Sequence, residues 1–199
     1  LIDYAYLLTD GDVNRVAGTR LLKKLCGLES NAIRPIVRGD RKGLRTSIRE
    51  LLNNLEQEAQ CAPSLLEKWL KGYPAEGLRC IRIAVRAIES WVMADTEGLG
   101  KFLGVDPKRI EKEWRNSGKP DFIDFPKDFL VQRVIPLSPK NEIRNSMIPG
   151  ENERVGKGYN NQLRRFLSEF WDPVKGAKNS LSLESALKRI RKAFMEGKK

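Results

Sequence analysis

A chain of 199 residues, 40% hydrophobic and 32% charged, is long enough to bury one core and too polar for a membrane protein. No apolar run approaches the roughly 20 residues of a membrane span and no basic-then-apolar signal segment opens the chain, so a soluble cytoplasmic protein without a membrane partner is expected. Thirty-seven Lys and Arg against 26 Asp and Glu leave a net charge of +11, which points to a phosphate-bearing partner, foremost nucleic acid, with anionic lipid or an acidic protein as the other classes.

There is no histidine, so the usual general base is missing and any chemistry must run through carboxylates, hydroxyls, amines or a bound hard cation. Cys26, Cys61 and Cys80 are odd in number and widely spaced, which argues against a disulfide framework and against a zinc site.

Residues 2–9 are rich in β-compatible side chains and end at Thr9-Asp10-Gly11-Asp12, a strand followed by a turn. Val13, Val16, Ala17, Leu21 and Leu25 then recur at helical spacing, with Asp12 as an N-cap and Gly27 just past the end. Residues 32–37 read as a second strand, which Pro35 confines to an edge. Residues 46–59 fit a helix by periodicity, though the local order could hide a strand ending near Asn54. Residues 79–85 alternate polar and apolar as a half-buried strand does, and pass into a helix containing Glu89 and Trp91.

Helical patterns follow at 107–114, 127–134, 159–170 and 182–195, and 147–158 reads as an exposed loop. The expected architecture is a single α/β domain over 1–199: a small, mostly parallel sheet flanked by helices at 1–105, then a mainly helical, basic extension at 106–199.

Candidate chemistry sits at four places, and each admits a plain structural alternative. Asp10 and Asp12 could hold a divalent cation at the end of the first strand, or Asp12 could simply cap the helix. Asn54, Glu56 and Glu58 share a face if the segment is extended, and are a solvated face if it is not. Glu89 lies among apolar neighbours and needs a partner, with Arg82 or Arg86 as candidates for an ion pair. Asp95 reads as an N-cap and Trp91 as core.

In the last helix Leu183, Leu187, Ile190 and Phe194 form an apolar stripe opposite Lys188, Arg189, Arg191 and Lys192. That basic face is either solvated or a phosphate-backbone contact, and Arg154, Lys157, Arg164 and Arg165 could extend it. From 140 to 199 there are fourteen Lys and Arg against seven Asp and Glu, so the basic bias is C-terminal. No recognition-helix or RNA-motif signature accompanies it, and any binding is expected to tolerate sequence.

Several segments together resemble a bacterial family, domain of unknown function 4276. They are Cys61-Ala62-Pro63, the block from Arg82 through Glu89-Ser90-Trp91 and Ala94-Asp95 to Phe102-Leu103-Gly104-Val105, then Pro126-Lys127, and Met147-Ile148-Pro149 through Gly156-Lys157-Gly158-Tyr159. That family is regarded as similar to Toprim domains and often neighbours ATPases in phage-defence loci. The resemblance implies a Toprim-like sheet and a magnesium- or manganese-dependent nuclease acting on DNA or RNA, with an ATPase as a further partner.

It places Asp10 where Toprim domains carry a Glu, and Asn54-Leu55-Glu56 where they carry Asp-x-Asp. With Glu89 and Glu58 added from the reading of the residues themselves, the candidate catalytic set is Asp10, Glu56 and Glu89, and the candidate metal set is Asp10, Asn54, Glu56 and Glu58. The resemblance would also make 47–53 a strand. Asp10 is one methylene shorter than Glu, and Asn54 removes a negative charge. The alternative is therefore a catalytically degenerate module that binds nucleic acid or a protein partner.

Overall fold

A computed structural model of the chain describes residues 5–8, 12–36 and 87–196. Strand β1 (Ala5–Leu8) pairs in parallel with β2 (Ile33–Ile36), in register from Ala5 opposite Ile33 to Leu8 opposite Ile36. Helix α1 (Asp12–Cys26) connects them. Asp12 in its first turn and Lys23 and Lys24 in its last match the helix dipole, and Gly27, at φ 66°, ends it in a conformation that other residues rarely adopt.

From residue 87 onward the described chain is helical. Helix α2 (Ile88–Ala94) is buried from Glu89 to Ala94, as expected of a helix packed on all sides. Asp95 ends it and caps α3 (Thr96–Leu103), whose own end is closed by Gly104 at φ 75° with its N–H on the Gly100 carbonyl at 2.8 Å. Helix α4 (Pro107–Arg115) starts on the Asp106 cap with proline in its first turn, and buries Ile110 and Trp114 four residues apart.

Helix α5 (Pro126–Phe129) runs into a π-helical turn at Leu130–Val134. Helix α6 (Asn141–Met147) precedes the loop at 148–158, and α7 (Tyr159–Arg165) runs into a second π-helical turn at Phe166–Phe170. Helix α8 (Pro173–Gly176) is capped by Asp172, and α9 (Leu181–Glu196) closes the described chain.

One core cluster joins these elements. It contains Ala17 and Leu21 of α1, Trp91, Phe102, Phe166 and Trp171, and Leu183 and Leu187 of α9. Within it, the Phe102 ring centroid lies 5.6 Å from that of Phe166 and 5.5 Å from that of Phe170, in tilted and edge-on contacts. Among the described residues, no helix is long and apolar enough to cross a membrane.

This architecture corrects the expectation of an α/β, Toprim-like sheet, because the described part of the protein is predominantly helical. The core is made by helices packing on helices, whereas the only strand pairing among the described residues is the four-residue pair β1–β2. A two-stranded ribbon cannot organise a core of this size. The expected strand at 79–85 and the ambiguous segment at 46–59 lie outside the described residues.

Candidate functional site

Glu89, in the first turn of α2, is buried, its side chain 4% exposed. Its Oε1 accepts a hydrogen bond from the Tyr159 hydroxyl at 2.9 Å and lies 3.7 Å from Lys127 Nζ. The same ammonium stands 5.8 Å from the centroid of the Tyr159 ring. Burial, and then the neighbouring Glu89 charge, push the Tyr159 hydroxyl far above its ordinary value, so it stays protonated and donates. Glu89 thus ties α2, α5 and α7 together. Arg82 and Arg86 lie outside the described residues, and Lys127 and Tyr159 fill the partner role they were expected to fill.

Asp95 acts as the expected N-cap. Its side chain accepts from Gly98 N at 3.0 Å and from Asp172 N at 2.7 Å, so one carboxylate holds the starts of α3 and α8. Burial raises its pKa, and the two backbone donors oppose that rise. Trp91 is core, and its Nε1 donates to Ser182 Oγ at 2.8 Å.

A third buried carboxylate sets the start of α9. Asp121 accepts from Ser180 Oγ at 2.7 Å, Ser182 N at 2.9 Å and Ser182 Oγ at 3.2 Å. Ser180 Oγ in turn accepts from Leu183 N at 3.1 Å and caps the helix. A carboxylate at a helix N-terminus is favoured by the dipole as well as by these donors.

With its start held in this way, α9 buries Leu183, Ala186 and Leu187 and exposes Lys188, Arg189, Arg191 and Lys192. Lys188 pairs with Glu184 one turn earlier. Among the described residues, no carboxylate forms an ion pair with Arg189 or Arg191.

The other expected cations sit on different elements. Arg154 makes a two-pronged bond to Asp128, at 3.0 and 3.3 Å. Arg164 of α7 reaches Asp12 at 3.5 Å and also bonds Asn161, while Arg165 reaches Glu169 at 3.4 Å. Three of these four extension residues are thus paired with carboxylates of this chain. Lys157 is exposed on the rim of an open groove of about 420 Å³ between the end of α6 and the 148–158 loop. The loop lies so close to α6 that a Cβ on Gly156 would stand 2.4 Å from the Ser146 carbonyl oxygen. Glu151 and Glu153 share the groove with Lys157, so its charge is mixed.

Asp10, Asn54, Glu56 and Glu58 lie outside the described residues. Asp12 is described: it is exposed and held by Arg15 at 3.2 Å and by Arg164. Among the described residues, no three of Cys, Asp and Glu converge on a point that could hold a metal, so these residues by themselves form no magnesium site.

Reading the sequence singled out Glu89 and the cations of α9 but missed Tyr159, Lys127 and Asp121. The Ser-x-Ser ahead of the apolar stripe of α9 was the available sign of a capped start. Nothing local links Asp121 to it across 59 residues. No family model, curated protein or solved structure matched the chain.

Proposed function

We propose that this protein binds nucleic acid through the phosphate backbone, with the exposed face of α9 as the contact surface. The observation that carries the reading is the division of α9, with Leu183, Ala186 and Leu187 in the core and Lys188, Arg189, Arg191 and Lys192 all exposed on the other side. A net charge of +11 supplies long-range attraction to a polyanion, and the last third of the chain contributes most of it. Backbone contacts of this kind tolerate sequence and weaken steeply with salt.

The test is an equilibrium titration with duplex DNA, single-stranded DNA and RNA over a range of salt concentrations. Binding that falls linearly on a log–log plot supports the reading. Absence of binding at low salt removes it and favours a module that docks on a protein partner.

A second reading is metal-dependent phosphodiester hydrolysis with magnesium or manganese. One observation favours it: Asp12 opens α1 directly after β1, the end of a parallel β–α unit where ligands commonly gather. Under this reading Asp10→Ala abolishes metal-dependent cleavage and leaves binding intact. Cleavage unchanged in that variant would remove it.

A further inference from the structure

Of the large apolar side chains exposed among the described residues, Phe122, Phe125, Val174, Leu181 and Met195, three lie at or near the Asp121 network. Phe122 and Phe125, three residues apart before α5, are 59% and 68% exposed, and Leu181, the first residue of α9, is 52% exposed. The Asp121 network joins the first and last of these. Phe122 follows Asp121, and Leu181 sits between Ser180 and Ser182, the two serines that Asp121 holds. Phe122 and Leu181 are therefore each next in sequence to a member of the hydrogen-bond network that holds the start of the basic helix.

From Leu181 the exposed face of α9 continues through residues 185, 188, 192 and 195, at steps of three and four, which places Lys188 and Lys192 in line with Leu181. Lys119, three residues before Phe122, closes the near end. Glu184 is held below its ordinary value by the Lys188 hydrogen bond and charge, and Lys119 adds to that field. The one acidic side chain described on this face of α9 is thus already matched by two lysines. The apolar shelf and the basic line form one track of about 17 Å from Leu181 to Lys192, enough for a few nucleotides.

We infer that Phe122 and Phe125 are a stacking platform for unpaired bases at the head of this track, so the protein prefers single-stranded nucleic acid over duplex. This rests on the nucleic-acid reading and deepens it. The chemistry is that of non-specific single-strand binders, in which cations follow the phosphates and aromatic faces take the bases, whichever base is present. A duplex hides those faces and can use only the cations. Charge complementarity selects a polyanion for the track, and paired aromatic exposure selects a polyanion that carries free planar rings.

The experiment measures affinity for oligothymidylate and for a duplex of equal length at one moderate salt concentration, using the intact chain, Phe122→Ala, Phe125→Ala and Phe122→Tyr. Each alanine is expected to weaken oligothymidylate binding by roughly 5- to 100-fold while leaving duplex affinity and the salt slope unchanged, and tyrosine to restore binding. Thermal melting of each variant separates a lost platform from a lost fold. Equal loss for both ligands, no loss for either, or Phe-dependent binding to phosphatidylserine vesicles with oligothymidylate unaffected would overturn the inference. Salt-sensitive binding that ignores both phenylalanines discards the platform and keeps the basic-face reading. No nucleic-acid binding at any salt discards both.

Discussion

Replacing Asp121 with alanine removes the acceptor that seats α9. The carboxylate is 5% exposed and takes three hydrogen bonds, from Ser180 Oγ, Ser182 N and Ser182 Oγ, with Ser180 itself fully buried. A hydrogen bond to a charged group contributes about 1.5–3 kcal/mol, and a buried donor left unmade costs about 1–3 kcal/mol. These terms overlap, and release of a buried charge offsets part of them, so the net loss is about 3 kcal/mol. For a chain of this size that lowers Tm by about 6–12 °C. Asp121→Asn keeps the shape and one acceptor and should cost about 1 kcal/mol.

The assay is urea unfolding followed by tryptophan fluorescence, with the near-ultraviolet signal as a second probe, since Trp91 bonds to Ser182. A loss below about 1 kcal/mol for the alanine variant, or equal losses for alanine and asparagine, would refute the claim that this carboxylate anchors the helix.

Tyr159→Phe removes the hydroxyl that donates to buried Glu89 and should cost about 1–3 kcal/mol by chemical denaturation; a neutral result would mean that Lys127 alone satisfies the carboxylate. Gly98→Ala would put a Cβ 2.2 Å from Asp95 Oδ2 and 2.8 Å from the Phe170 carbonyl oxygen, so the Asp95 cap must give way, with a loss of about 2 kcal/mol in the same assay. Asp172 should report on acid stability. Burial raises its pKa, but the Lys24 bond and the N–H groups of Lys175 and Val174 outweigh that and hold it below the ordinary aspartate value. Because the folded value is the lower one, its stabilisation is present at neutral pH and is lost as pH falls below the ordinary carboxylate value. Asp172→Asn should flatten the acid limb of the stability curve, and an unchanged limb would contradict the assignment.

The helical half of the protein was legible where side chains alone carry the signal. Ile110 and Trp114 mark α4, and Leu183, Leu187 and Ile190 mark α9, because one face of each meets the core. Asp95 and Gly27 read correctly as helix punctuation because capping is local chemistry. The fold class did not follow from these signals. Within the strand patterns at 2–9 and 32–37, Ala5–Leu8 and Ile33–Ile36 do pair, but a pattern of alternation says nothing of how many strands join or which layer carries the core.

The core is instead assembled from Trp91, Phe102, Phe166 and Trp171, whose meeting depends on contacts 64 or more residues apart in the case of Phe102 and Phe166. The candidate site divides in the same way. The cations of α9 were visible as a face. Tyr159 reaches Glu89 across 70 residues, and Asp121 reaches Ser180 across 59, so neither partner has a local signature.

The central claim is that α9 meets the phosphate backbone, and neutralising that face tests it most directly. The measurement is the salt dependence of nucleic-acid affinity for the intact chain and for Lys188→Gln, Arg191→Gln and Lys192→Gln combined. If these three side chains contact phosphates, the log–log salt slope should shallow by about 2–3 and low-salt affinity should fall for every sequence alike. An unchanged slope with unchanged affinity would contradict it, and would move the binding surface away from α9.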